Sequence, residues 1–129
     1  MSNIPEDIKF TSAHTWVELY DDGLVRIGIT DHAQQELGDI VYVELPEVER
    51  TYSSGDECAV VESVKSASDI HCPVSGEIIE INTDLDESPE LINSDPYADG
   101  WLFVMRPDDE SELDDLLDAD AYQEFIEND

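Results

Sequence analysis

Apolar and polar residues alternate in several short segments of this chain, and a period of two is the spacing of a β-strand. The segment "TWVELYDDGLVRIGIT" (15–30) predicts two strands joined by an Asp-Asp-Gly turn. In the second of these strands, Val25, Ile27 and Ile29 fall on one face. The first part of the chain therefore predicts a pair of strands connected by a tight turn.

A further alternating strand is predicted for "DIVYVELP" (39–46). Val41, Val43 and Leu45 fall on one side of it, and Pro46 ends it because proline cannot donate a ladder hydrogen bond. More strands are predicted in "DECAVVES", "DIHCPVSGEIIEIN" and "WLFVMRP". Many short strands with glycine and proline turns indicate a mainly β fold.

One short segment between strands has helical character. "TDHAQQELGD" predicts a helix near 31–37, with Thr30 or Asp31 as its N-terminal cap and Gly38 as its C-terminal stop. His32 falls within this helix and is expected at the surface without a partner.

The C-terminal region changes to a period of about four. Its apolar residues predict an amphipathic helical segment at about 111–127, with Ser111 as a cap and a division at 118–120. Ahead of it, 86–100 predicts a loop with one helical turn. At 129 residues the chain is expected to form one domain, 1–129, around a single core.

The charge of the chain is extreme. It has 34 acidic and 5 basic residues, which gives a formal net charge of −29. The acids are spread along the chain, which is typical of the solvated acidic surface of a halophilic protein, where salt screens self-repulsion. A polyanion-mimicking or cation-binding role is the alternative. Nucleic acids and anionic membranes are poor partners because the chain lacks the positive charge that binds them.

The sequence contains no pattern that indicates catalysis or metal binding. The three histidines lack metal-ligand spacing, so we expect no metal site. The chain also has no phosphate-cradling glycine loop and no Gly-x-Ser-x-Gly motif. Two cysteines do not make a disulfide framework, and no segment resembles a signal peptide or a membrane span. We therefore expect a soluble, cytoplasmic protein, and a monomer.

Lys65 is one of only two lysines, and it lies among small and apolar residues. If 56–61 pairs with 70–72, the turn falls near Lys65, which then stands at the tip of an exposed hairpin. The same register brings Cys58 and Cys72 close together as reduced, buried thiols. A primary amine on a long flexible stem suits an enzyme that must grasp and acylate it.

The chain resembles, over nearly its whole length, the H protein of the glycine cleavage system, a lipoyl carrier. The matching blocks occur in the family's order and are "SAHTW", "IGITDHAQQELGDIVYVELP", "ESVKSASDI", "PVSGEIIEIN", "LINSDPY", "GWLF" and "LLDADAYQEFI". The resemblance implies a β-sandwich of the lipoyl/biotinyl type (a barrel-sandwich hybrid) with a short helix and C-terminal helices. This agrees with the mainly β fold that the residues predict on their own.

The resemblance also implies the chemistry and the partners. Covalently bound lipoate would accept an aminomethyl group from glycine on a pyridoxal-phosphate-dependent glycine decarboxylase. An aminomethyltransferase would pass the one-carbon unit to a folate-type acceptor, and dihydrolipoamide dehydrogenase would reoxidise the carrier. A lipoate-attaching enzyme would load it. The chain itself would be a non-catalytic carrier subunit.

By the same resemblance, each site residue has an expected role. Lys65 is the lipoyl attachment site, and Glu62 and Gly76 are needed for recognition during lipoylation. Asp69 is an expected contact for the loaded arm. Thr15 replaces the glutamate common in the family's Ser-His-Glu-Trp segment, so only its hydroxyl remains for such a contact, while His14 and Trp16 are expected to pack.

Three rival functions stay open at this stage. Another swinging-arm carrier is one, although biotinyl domains show Met-Lys-Met, 2-oxoacid dehydrogenase lipoyl domains show Asp-Lys-Ala, and this chain shows Val-Lys-Ser. A lipoate donor or relay protein for other lipoyl-dependent complexes is the second. An unmodified acidic interaction protein is the third, and the retained lysine argues against it.

Overall fold

The structure is a computed structural model that describes residues 8–19 and 23–127. Part of the predicted Asp-Asp-Gly turn, at 21 and 22, lies outside these residues. Among the helices of the described part, none has the length and apolar character needed to cross a membrane.

In the described residues, nine strands form two antiparallel sheets, which confirms the mainly β fold. The larger sheet has six strands in the order β1-β2-β3-β9-β8-β5, and the smaller has three in the order β4-β6-β7. The strands are β1 (Lys9–Phe10), β2 (Thr15–Leu19), β3 (Val25–Ile29), β4 (Ile40–Glu44), β5 (Thr51–Tyr52), β6 (Glu57–Ser63), β7 (Ala67–His71), β8 (Gly76–Ile81) and β9 (Phe103–Pro107).

Helices occupy the connections and the C-terminal region. They are α1 (Asp31–Leu37), α2 (Asp84–Glu87), α3 (Leu91–Ser94), a 3₁₀ helix (Glu110–Asp115) and α4 (Ala119–Glu127). The bounds of α1 are the predicted ones. The segment 86–100, predicted as a loop with one helical turn, contains the end of α2 and all of α3. The C-terminal helical segment is interrupted between Asp115 and Ala119, next to the division predicted at 118–120.

The ends of α1 follow its sequence. Thr30 is the N-cap, and its side-chain oxygen accepts a hydrogen bond from the backbone N–H of Ala33. Gly38 ends the helix with a φ of 84°, a left-handed conformation in which glycine has no steric penalty. The predicted Ser111 cap is wrong, because the side chain of Asp109 caps the 3₁₀ helix and accepts the backbone N–H of Ser111.

The core lies between the two sheets, because both contribute fully buried apolar side chains to one cluster. Ile27 and Ile78 come from the larger sheet, and Val43 and Val61 come from the smaller one. The predicted face of β3 is confirmed, since its three apolar side chains are all buried. Burial of this apolar surface is the main force that holds the sandwich together.

A second apolar cluster joins the two ends of the described chain. Tyr122 of α4 stacks on Phe10 of β1 with ring centroids 4.6 Å apart, and Trp16 is buried beside them. Gly28, opposite Trp16 in the sheet, makes room for the indole: a Cβ there would lie 2.6 Å from its ring atoms. Helix α4 therefore packs through Tyr122, while Phe125 stays 36% exposed.

One predicted alternation is wrong. In β4, Val43 is buried, but Val41 is 54% exposed. The cause is an irregularity in the pairing with β6 between Ile40 and Tyr42, a β-bulge that turns Val41 and Tyr42 outward together.

Candidate functional site at the β6–β7 hairpin

The hairpin predicted around Lys65 is present. Strands β6 and β7 pair antiparallel, and Glu62 lies opposite Ala67 at the end of the ladder. The turn is closed by a hydrogen bond from the backbone N–H of Ser63 to the carbonyl of Ser66, 2.7 Å long. Lys65 therefore stands at the tip, as the sequence predicts.

The side chain of Ser63 fixes this turn from within. Its Oγ accepts the backbone N–H groups of Lys65 at 3.2 Å and Ser66 at 3.1 Å. Local hydrogen bonds of this kind are the reason that serine favours turns. The backbone that carries the lysine is thereby held, while the lysine side chain itself remains exposed.

The lysine stem extends towards the end of α1. A Cβ placed on Gly38 would lie 3.1 Å from Cε of Lys65, so any larger residue there would crowd the stem. Within residues 8–19 and 23–127, no carboxylate lies within ion-pair distance of the Lys65 amine. An exposed primary amine without a bound carboxylate is accessible to an enzyme.

The outer face of the small sheet lies next to the tip. Its register places Tyr42, Glu62 and Ala67 in one row across the three strands. Further from the tip, the next row on the same face is Glu44, Val60 and Asp69. Directly opposed residues on neighbouring strands have Cβ atoms about 5 Å apart. Glu62 therefore borders the tip itself, and Asp69 shares the same exposed face.

The two other predicted site residues lie elsewhere. Gly76 begins β8 in the larger sheet and is buried. A Cβ on Gly76 would lie 2.2 Å from the carbonyl oxygen of Arg106, so the close approach of β9 requires glycine at this position. Thr15 in β2 is only 1% exposed, and an arm contact would require the surface above it to open. The functional roles of both residues remain predictions.

At the far end of the hairpin, Cys58 and Cys72 are free, buried thiols and neighbours, as the sequence predicts. Their approach depends on a second bulge, because Glu57 pairs with His71 while Ala59 pairs with Ile70. A regular ladder would instead set Cys58 opposite His71, on the outer face. The hydrogen bond with Cys72 and burial together raise the pKa of the Cys58 thiol far above its ordinary value.

A surface cavity of about 370 Å³ lies at this far end. Its lining includes Ala13 from the β1–β2 loop, His71 and Cys72 from the end of β7, and Glu112 from the 3₁₀ helix. Glu112 accepts a hydrogen bond from the backbone N–H of Ser75 at 2.9 Å, which orients its carboxylate. Along β7, Ala67 and His71 are about 13 Å apart at the ordinary rise of a strand.

A polar cluster that the sequence did not predict joins α1 to α4. The Tyr122 hydroxyl lies 2.8 Å from both Thr30 Oγ1 and His14 Nδ1, and burial raises the pKa of Tyr122 to about 12. The expectation for His32 is wrong, because its ring lies 4.7 Å from that of His14 and its Nε2 lies 2.7 Å from Glu36. The i,i+4 spacing of His32 and Glu36 was the available signal. His14 and Trp16 are packed, as predicted.

Comparisons with known proteins agree with one another. The family model of the glycine cleavage H-protein matches residues 8–129. A glycine cleavage system H protein of Pectobacterium carotovorum is 57% identical over 129 residues, covering 100% of this chain and 99% of the relative. One of Shewanella denitrificans is 59% identical over 127 residues, covering 98% of each.

A solved structure supports the same family. The crystal structure of a glycine cleavage system H protein from Mycobacterium marinum superposes with a TM-score of 0.85 at 41% sequence identity. The match covers 97% of this chain and 98% of that one. The two-sheet fold described above is thus the lipoyl-type β-sandwich.

Proposed function

Because this chain belongs to the glycine cleavage H-protein family, we propose that Lys65 is the residue on which it carries its lipoyl group. The family carries lipoate covalently on a lysine, and the chain is a lipoyl carrier of the glycine cleavage system. The observation that supports Lys65 is its place: an exposed amine at the tip of a hairpin whose backbone Ser63 holds in position.

The residues at the tip fit an attached arm. The two residues that close the turn, Ser63 and Ser66, are small, and the Lys65 side chain is exposed. When bound, the lipoyl group would supply a dithiolane whose disulfide opens as one sulfur accepts the aminomethyl group derived from glycine, and the dithiol left after release of that group would be reoxidised. The chain contributes a fixed anchor from which a flexible side chain reaches outward.

Glu62 and Gly76 would act in lipoylation in different ways. Glu62 lies opposite Ala67, at the edge of the turn, where an attaching enzyme would touch it directly. Gly76 lies in the other sheet under the Arg106 carbonyl, so its contribution would come through the fold.

The far end of the hairpin offers a resting place for the loaded arm. The Asp69 carboxylate lies on the outer face, two residues before the His71 that lines the 370 Å³ cavity. Carboxylates along this path would attract the positively charged amine of the load. The Glu112 carboxylate in the cavity would substitute for the family's glutamate that Thr15 replaces.

In this role, the whole chain acts as one carrier domain without a catalytic group. It is handled in turn by the lipoate-attaching enzyme, the pyridoxal-phosphate-dependent glycine decarboxylase, the aminomethyltransferase with its folate-type acceptor, and dihydrolipoamide dehydrogenase. We place it in the cytoplasm as a monomer.

The test is to map the adduct. The purified chain is incubated with lipoate, ATP and a lipoate-attaching enzyme, digested, and measured by mass spectrometry. One lipoyl adduct on the peptide that contains Lys65 is expected. Lys9→Arg, which changes the other lysine, should load normally, and Lys65→Arg should not load. An adduct on Lys9, or a different adduct on Lys65, would refute the assignment.

A further inference from the structure

Three large apolar side chains are exposed beside the tip of the hairpin. Val41 is 54% exposed, Tyr42 is 53% exposed and Val64 is 68% exposed. The chain as a whole carries a formal net charge of −29, so exposed apolar residues stand out from its acidic composition. Apolar groups grouped on such a surface cost solvation without stabilising the fold, and they mark a binding surface.

The bulge in β4 creates this surface. A regular strand would turn Val41 towards the core while Tyr42 faced out, because side chains alternate between the faces of a sheet. The irregular pairing between Ile40 and Tyr42 sends both side chains outward, and Ile40 and Val43 remain in the core. Bulges on exposed edge strands commonly re-aim side chains in this way, and β4 is an edge of the small sheet.

The three side chains belong to one surface with the attachment site. Tyr42 is paired across the strands with Glu62. Val64 precedes Lys65, and its backbone N–H donates to the carbonyl of Asp39 at 3.0 Å, which holds the tip against the start of β4. We name Val41, Tyr42 and Val64 the tip patch.

We propose that the tip patch is the docking surface for the lipoate-attaching enzyme, an inference that rests on Lys65 being the attachment site. The reason is how closely each enzyme must approach Lys65. This enzyme acts on the amine of Lys65 itself, so its surface must close over the residues around the lysine stem. The other enzymes of the system act on the far end of an arm added later, and they can meet it at a greater distance from the tip.

The charges around the tip patch define the partner's complementary surface. Asp39 and Glu44 are exposed beside it, Glu62 lies opposite Tyr42, and Asp69 lies on the same face. An apolar centre with an acidic rim fits an enzyme surface with an apolar centre and a basic rim. The rim would speed the encounter, and the apolar centre would hold the complex.

Attachment kinetics test this proposal. The rate of lipoyl transfer is measured against the concentration of the unloaded chain, with lipoate, ATP and the attaching enzyme supplied. Tyr42→Ser and Val64→Ser should each lower kcat/KM about tenfold, mainly through KM, as truncation of a central interface residue does. Tyr42→Phe should retain the normal rate, because the ring makes the contact.

Matched controls come from exposed apolar residues elsewhere. Leu19 is 70% exposed at the end of β2 in the larger sheet, and Val48 is 45% exposed between β4 and β5. Leu19→Ser and Val48→Ser remove comparable apolar surface and should change kcat/KM less than twofold. Thermal unfolding of every variant confirms that the fold is retained.

The outcomes separate this inference from the assignment of Lys65. If both tip-patch variants load on Lys65 at the normal rate, the docking surface is refuted while the carrier site stands. A slower glycine cleavage reaction of preloaded variants, with normal loading, would assign the patch to a later enzyme and refute the proposal. Dimerisation of the unmodified chain that Tyr42→Ser abolishes would also refute it. Absence of any adduct on Lys65 would refute both.

Discussion

The two ends of the β6–β7 hairpin use the same kind of irregularity in opposite ways. At the tip, the bulge in β4 turns Val41 and Tyr42 into solvent beside the lysine. At the far end, the bulge in β6 turns Cys58 into the core beside Cys72. An extra residue in a strand thus either exposes apolar groups for a partner or buries them for stability. The tip should therefore govern loading, and the buried thiols at the far end should govern stability.

The sharpest test of this contrast is Lys65→Arg. The variant keeps the positive charge but cannot form the lipoyl amide, so loading should be lost completely. The free energy of unfolding should change by less than about 0.5 kcal/mol, because the side chain is exposed. Intact mass and chemical denaturation measure the two effects, and a clear loss of stability would contradict the separation of function from fold at the tip.

Salt should raise the stability of the fold and slow loading at the tip. Screening of 34 acidic residues should raise the unfolding temperature steeply from low to molar salt, because the Debye length falls from about 10 Å at 0.1 M to about 3 Å at 1 M. The same screening should slow loading at the tip, where the acidic rim attracts the enzyme. A stability that does not respond to salt would argue against a halophilic protein.

Gly76→Ala extends the comparison to the larger sheet. The new Cβ would meet the Arg106 carbonyl at 2.2 Å, and forced overpacking of this kind costs about 1–3 kcal/mol. Urea denaturation should show that loss of stability, while the folded protein should load at a normal rate. A slower rate with unchanged stability would instead show that the attaching enzyme recognises Gly76 directly.

Alkaline pH should lower the free energy of unfolding through the buried Cys58 thiol at the far end of the hairpin. The pKa of Cys58 is raised in the folded state, so its contribution to stability is complete below the unfolded pKa and is lost as the pH rises above it. Between about pH 9 and pH 10 the loss should approach 1.4 kcal/mol. Denaturation at several pH values measures it. Cys58→Ala should flatten this part of the profile, and an unchanged slope would contradict the buried thiol pair.

Local sequence signals predicted the elements that local interactions form. Thr30 and Gly38 predicted both ends of α1, and the pairing of 56–61 with 70–72 predicted a hairpin with Lys65 at its tip. The tip was placed almost correctly: the turn is centred between Val64 and Lys65 rather than on Lys65.

The sequence could not predict the bulges, because a bulge depends on how a strand meets its partner. Val41 in a regular strand would be a core residue, and only the pairing with β6 turns it outward. Likewise, the proximity of Cys58 and Cys72 was predicted from a regular register, but it arises from an irregular one. The contact between His14 and His32 joins the β1–β2 loop to α1, while Tyr122 of α4 holds His14, and no local signal encodes that packing.

The long-range closure through Tyr122 has a consequence for the order of folding. Phe10 pairs with Leu117, and the Tyr122 hydroxyl reaches Thr30 and His14 across more than ninety residues of chain. Contacts that are close in sequence form faster than distant ones. During synthesis, the Lys65 hairpin can form before α4 packs against β1. The lysine could thus be presented for acylation on a nascent chain whose two ends have not yet met.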